Sequence, residues 1–328
     1  MSRIVVPGSG LPIPRIGFGC SSLAGVGKKK ALELLGTAFD AGVRHFDVAR
    51  FYGYGEAEAL LGAFARTRRA EVTITTKFGI EPPPRSNVLH YAMRAGRRLV
   101  RLVPAARGIL LRRAQTLIKR GRFSVEDARV SLETSLRELG TDYVDFFLLH
   151  EYEPSDASME GLVRFLSNRV KAGVIRYFGV GTGIENVLRA LQVNPDLCDV
   201  VQFENSVLSR TREKLQDIRP LMVVNHGSLG ASYRSVVASL KTHRELAADW
   251  SSQLGVDCSN DQAISGLMLN YAVRANPNGL VLFSCRDTSR TKQNVRAVLE
   301  PKISSAQIEL FGRLVERGLM PAVQTAHG

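Results

Sequence analysis

Four side chains of complementary chemistry stand at the ends of apolar runs or just beyond them. Asp47 closes Arg44-His45-Phe46-Asp47, Tyr52 follows in Phe51-Tyr52-Gly53, Lys77 closes Thr73-Ile74-Thr75-Thr76-Lys77, and His150 closes Phe146-Phe147-Leu148-Leu149-His150. A lysine or histidine at the end of an apolar strand is costly to bury unless it is paired. An Asp and a Lys brought to one place would pair. An ammonium close to a tyrosine hydroxyl favours the phenolate, lowering its pKa toward the range of a working general acid. A histidine opposite could donate a hydrogen bond to a carbonyl oxygen and polarise it. Together the four describe an acid that delivers a proton to an oxygen gaining charge. Singly, each has a structural reading: a strand-end Asp–Lys pair is more often an ion pair of the framework, and a lone histidine a satisfied core residue.

The elements that must position these groups alternate. Strand-like runs end in 17–19, 45–47, 73–77, 146–150, 177–179, 200–205, 222–225 and 279–284, with helical spacing between them. Such alternation marks βαβ units and a parallel sheet. Ala31-Leu32-Leu34-Leu35-Ala38 carries one helical stripe. Val130-Leu132-Leu136-Leu139 carries another, opened by Ser124-Val125-Glu126-Asp127, an N-cap followed by an acidic first turn. Gly42, Gly140 and Gly173 follow helical stretches as C-terminal caps do. Ile4-Val5-Val6 and Leu11-Pro12-Ile13 read as a hairpin placed to plug a barrel floor. Eight strands suit a (β/α)8 TIM barrel, whose catalytic groups sit at the carboxyl ends of its strands. A doubly wound open sheet is the competing architecture.

The stretch Gly42-Val43-Arg44-His45-Phe46-Asp47-Val48-Ala49-Arg50-Phe51-Tyr52-Gly53 resembles the aldo-keto reductase signature, as does the spacing onward to Thr76-Lys77-Phe78-Gly79 and Leu148-Leu149-His150. The resemblance implies one barrel domain over 1–328 and a catalytic tetrad of Asp47, Tyr52, Lys77 and His150. Tyr52 would be the proton donor, Lys77 would lower its pKa, Asp47 would hold Lys77, and His150 would orient the carbonyl. It also implies NADP(H) lying extended across the barrel mouth, with hydride passing to an aldehyde or ketone. Gln202 matches a family ligand of the cofactor carboxamide. Thr182 stands where the family has a more polar pair, and Gly181 beside it departs from that pattern. His226 falls where the family stacks a larger aromatic ring on the nicotinamide. Ser284, Arg290 and Asn294 match the spacing of the adenosine-phosphate site, and Arg286 could assist. Arginine and a helix N-terminus both favour phosphate, which tilts the cofactor toward NADP.

The net charge of +13 is concentrated. The stretch 82–125 holds eleven Lys or Arg and no Asp or Glu, leaving +2 for the rest of the chain. It reads as a long basic insertion after the third barrel strand. Three roles stand open for it: a lid admitting an anionic or bulky carbonyl substrate, a docking surface for an acidic protein or an anionic membrane, or a solvated helical insertion. Specific nucleic-acid binding is disfavoured, since no recognised module accompanies the charge. The chain lacks an apolar run long enough to span a membrane and a signal-like N-terminus. Its four scattered cysteines suit reduced thiols in a cytoplasm, with no metal site. Besides the reductase, two readings remain: a cofactor-binding redox sensor or docking subunit with little turnover, and a Schiff-base aldolase with Lys77 as nucleophile.

Overall fold

The computed structural model describes residues 3–5, 12–23, 25–82, 120–155, 158–215 and 221–319. An antiparallel hairpin comes first, β1 (Arg3–Val5) paired with β2 (Pro12–Pro14). Eight parallel strands then close into a ring: β3 (Ile16–Gly19), β4 (His45–Asp47), β5 (Thr73–Phe78), β6 (Val144–His150), β7 (Ile175–Gly181), β8 (Val200–Glu204), β9 (Met222–His226) and β10 (Leu280–Phe283). They follow chain order around the barrel, and β10 returns to β3 with Val281 opposite Ile16. That closure excludes the open sheet. All eight strands lie where the apolar runs end.

Parallel strands covered on both faces read as continuous apolar runs, and those of this barrel do. Inside the ring, Phe146, Leu148, Met222, Val224 and Leu282 pack together, and Ile4 and Ile13 of the hairpin join them from the amino ends of the strands. The hairpin is the floor plug its sequence suggests. Outside, α1 (Lys28–Asp40), α2 (Glu56–Ala65), α3 (Val125–Leu139), α4 (Glu160–Lys171) and α5 (Ile184–Val193) cover the first strands. Then follow α6 (Ala231–Thr242), α7 (Arg244–Leu254), α8 (Asp261–Ala275), α9 (Thr288–Leu299) and α10 (Ser305–Gly318), several packed around Trp250 and Phe311.

Helix α3 shows how local signals place an element. Ser124 accepts from Asp127 N at its start in a reciprocal capping box, and Gly140 closes it at φ 63°. One expectation is corrected here: Val130, counted in the apolar stripe, is 47% exposed. The buried face runs through Ala128, Leu132, Ser135 and Leu139. Two residues on from Ala128 is a rotation of about 200°, which is the opposite side of the helix.

Most of the basic insertion, 83–119, lies outside the described residues. Its exit is described. Arg120 pairs with Glu151 just past β6, and Arg122 pairs with Asp127 at 2.7 Å. No helix among the described residues is long and apolar enough to cross a membrane.

Candidate active site at the carboxyl ends of the strands

The barrel brings Asp47, Tyr52, Lys77 and His150 to one mouth. Lys77 Nζ donates to Asp47 Oδ1 at 2.6 Å and to the Val48 carbonyl at 3.1 Å. Both partners are almost fully buried, so neither charge is tolerable without the other. Asp47 Oδ2 accepts from Gln202 Nε2 at 3.0 Å, which engages the second carboxylate oxygen. Burial alone would lower the Lys77 pKa, but Asp47 and Tyr52 outweigh it and hold the pKa above its ordinary value. The pairing favours the ammonium over the free amine that a Schiff-base mechanism requires.

Tyr52 sits at the start of a short 3-10 turn, Tyr52–Gly55, between β4 and α2. Its ring lies 5.0 Å from Lys77 Nζ and meets the His150 imidazole edge to face at 5.8 Å. Burial raises the Tyr52 pKa, Lys77 pulls it down, and burial wins. The lowering expected from Lys77 is present but does not prevail, so Tyr52 holds its proton through neutral pH. Burial, together with the positive charges of Lys77 and Arg120, takes His150 down to about 3. It is a neutral imidazole with one N–H to donate. The arrangement offers a stocked acid, a cation beside it, and a neutral donor facing it.

The residues expected to hold a cofactor line the same rim. Gln202 is fixed through its Nε2, while its buried Oε1 has no partner. A buried acceptor left unpaired is costly, and an amide N–H is the complement it lacks. Gly181 leaves space beside it, since a Cβ there would stand 3.4 Å from Gln202 Oε1. Thr182 follows in the same turn, accepting from Asn186 Nδ2 at 3.3 Å. His226 ends β9, exposed at the mouth. At the far side Ser284 donates to the Gly19 carbonyl at 2.8 Å, and Arg286 Nε donates to the Ser22 carbonyl at 3.3 Å. Arg290 is exposed on the first turn of α9, but its backbone N–H is taken by the N-cap Asp287 at 2.8 Å. Asn294 is buried, with Oδ1 accepting from Ser265 at 2.7 Å and from Gln262 Nε2 at 3.2 Å. These groups fit a dinucleotide laid across the rim, with the carboxamide end better provided for than the helix end.

The sequence from residue 15 to residue 316 matches the model of the aldo/keto reductase family. The chain belongs to that family. Among curated relatives it is 29% identical over 202 residues to D-threo-aldose 1-dehydrogenase of Pseudomonas sp, covering 58% of this chain and 56% of that protein. It is 27% identical to the uncharacterized oxidoreductase YqkF of Bacillus subtilis, covering 92% of each. The chain spans between 44% and 63% of the length of the first curated relatives it matches. Among solved structures, the holo form of aldo-keto reductase AKR11C1 from Bacillus halodurans superposes with a TM-score of 0.71 at 19% identity, covering 96% of each chain. An aldo-keto reductase from Klebsiella pneumoniae, solved in complex with NADPH, superposes with a TM-score of 0.64 at 20% identity, covering 96% of this chain and 95% of that one. These likenesses establish the fold.

The chain also places polar groups around the tetrad that sequence reasoning passed over. Cys20, just past β3, is buried close enough to Asp47 and Lys77 to feel both charges, and burial pushes its thiol well up. His45, two residues before Asp47, is enclosed below the tetrad between Thr73 Oγ1 at 2.9 Å and Thr75 Oγ1 at 3.1 Å. Arg50 and Glu58 flank Tyr52 and pair at 3.1 Å. Alternation along β4 was the available signal for His45, since it shares a face with Asp47. Nothing in the local pattern announced Cys20 or Glu58. Among the described residues no group of three or more His, Cys, Asp or Glu is arranged to hold a metal ion.

Proposed function

We propose that this chain is an NADP(H)-dependent reductase of aldehydes or ketones, with Tyr52 as the proton donor. The observation that carries the reading is the convergence of protonated Tyr52, charged Lys77 and neutral His150 on one mouth. When bound, the cofactor supplies hydride to the carbonyl carbon. The charge that develops on oxygen would be met by the Tyr52 hydroxyl and the His150 N–H. Lys77 offsets the phenolate left behind, and Asp47 keeps Lys77 in place. Gln202 Oε1 and Thr182 would hold the carboxamide, His226 would lie against the nicotinamide ring, and Ser284, Arg286, Arg290 and Asn294 would take the adenosine phosphate. Support for NADP over NAD comes from those two arginines and from relatives solved with the phosphorylated cofactor.

The substrate is proposed to be a carbonyl compound with a preference for anions. Arg120, half-exposed beside His150 and held by Glu151, is the cation that favours one. A sensor or docking role with little turnover is the second reading, favoured by Gly181 and His226 where the family carries larger contacts. The test is NADPH oxidation over neutral and anionic carbonyls, with Tyr52→Phe beside the wild type. Turnover should fall by about 100-fold or more in the variant while NADPH binding persists. Binding without turnover on any substrate would move the assignment to the sensor, and Gln202→Leu with unchanged NADPH affinity would remove Gln202 from the cofactor site.

A further inference from the structure

Glu58 is a fully buried carboxylate on the first turn of α2, outside the tetrad and unused by the proposed reaction. Its two oxygens bind two different elements. Oε2 accepts from Arg50 Nη1 at 3.1 Å, and Oε1 accepts from the Thr76 hydroxyl at 2.7 Å. Arg50 lies between Asp47 and Tyr52, and Thr76 directly precedes Lys77. The turn Tyr52–Gly55 is thus gripped from both ends, by Arg50 before it and by α2 after it. Backbone bonds hold the remaining side: Tyr52 N donates to Ala49 O at 3.0 Å, and Val48 N donates to Thr75 O at 2.8 Å.

We propose that Glu58 is a positioning residue whose carboxylate ties the turn carrying Tyr52 to the strand carrying Lys77, setting the distance between the acid and its cation. The inference rests on the reading of Tyr52 as proton donor. A buried carboxylate placed only for stability is a poor choice, because an apolar pair of similar volume holds a helix to a strand as well or better. What a bidentate carboxylate adds is direction: two charge-assisted or hydroxyl bonds at a fixed angle. Tyr52 is where that direction matters, since small displacements of a reacting group cost large factors in rate. Loosening the turn would also admit water to Tyr52, removing the burial that raises its pKa and moving the hydroxyl down toward an ordinary tyrosine.

Glu58→Gln and Thr76→Val each break one arm, and Thr76→Ser restores the second. The measurements are kcat and KM on a neutral aldehyde, the pH profile of kcat, NADPH affinity, and the tyrosinate absorbance titration of each protein less that of its Tyr52→Phe counterpart. Both variants are expected to bind NADPH as the wild type does, to lose about tenfold or more in kcat with little change in KM, and to titrate Tyr52 at lower pH. Thr76→Ser should recover both the kcat and the Tyr52 titration of the wild type. Unchanged kcat, pH profile and tyrosinate titration, even with lowered thermal stability, would overturn the proposal and leave Glu58 a framework residue. Should Glu58→Gln fail to fold, Thr76→Val carries the same readouts. A wild type without turnover would sink the reductase reading, and the tyrosinate titration would still decide the clamp.

Discussion

At the scale of single residues, the site is governed by what each buried charge has beside it. Lys77 and Asp47 are nearly inaccessible, so Lys77→Met leaves a buried carboxylate without its cation, still hydrogen-bonded to Gln202. The expected loss is about 3–5 kcal/mol in unfolding stability, measured by urea titration, with Asp47→Asn on top of Lys77→Met recovering part of it. A double variant no more stable than Lys77→Met would mean that the pair is not coupled. The same charges set the pH response. A general acid must hold its proton, and burial moves the loss of the Tyr52 proton above the ordinary tyrosine value. His150, at about 3, does not titrate near neutrality. With Tyr52 as the proposed acid, the proposed carbonyl reduction should therefore be level from about pH 6 to pH 9 and fall only in more alkaline solution. A descending limb centred near neutrality in the kcat profile would contradict this.

At the scale of elements, strand ends and helix caps do the placing. β4, β5 and β6 each deliver one tetrad member, and a short turn supplies the fourth. Helix α3 follows the insertion, and its capping box fixes where the basic segment rejoins the barrel. Ser124→Ala should cost about 1 kcal/mol, read from the shift in denaturant midpoint. Val130→Lys on the same helix should change stability by less than about 0.5 kcal/mol, because the side chain already faces water. A larger loss would show that the exposed valine has a partner. Gly79 marks the other side of the insertion, at φ 107° with the Phe123 ring lying where a Cβ would go. A side chain there would displace Phe123 from Phe78 and Tyr152, which it meets edge to face.

At the scale of the whole molecule, the barrel encloses polar groups that only a closed ring can satisfy. His45 is fully buried inside it, held neutral between two threonines, with its pKa down at about 4. The unfolded chain takes up that proton at about pH 6.5, whereas the folded one refuses it until about pH 4. Stability from this group is present above the unfolded value and lost as pH falls toward the folded one, to a total of about 3 kcal/mol. His150 acts in the same direction. Unfolding free energy should already decline between about pH 6.5 and pH 5, above the range where most carboxylates titrate. A flat profile in that window, followed by denaturant midpoint, would mean that both imidazoles are more hydrated than the barrel suggests.

The chain alone determined the eight strand ends, the hairpin, the caps of α3 and the types of the four tetrad residues, because each rests on local periodicity, turn chemistry or a signature of short span. Those signals need no knowledge of distant neighbours. Tertiary structure decided what depends on them: that the sheet closes, that burial outweighs Lys77 in setting Tyr52, that Val130 faces water, and that Asn294 spends an oxygen on α8. It also brought Glu58, on a helix, against Thr76 on a strand eighteen residues away. Long-range proximity, desolvation and the sharing of one hydrogen-bond acceptor between elements have no periodic trace in a sequence, and in this barrel they set the surroundings of Tyr52 and Lys77.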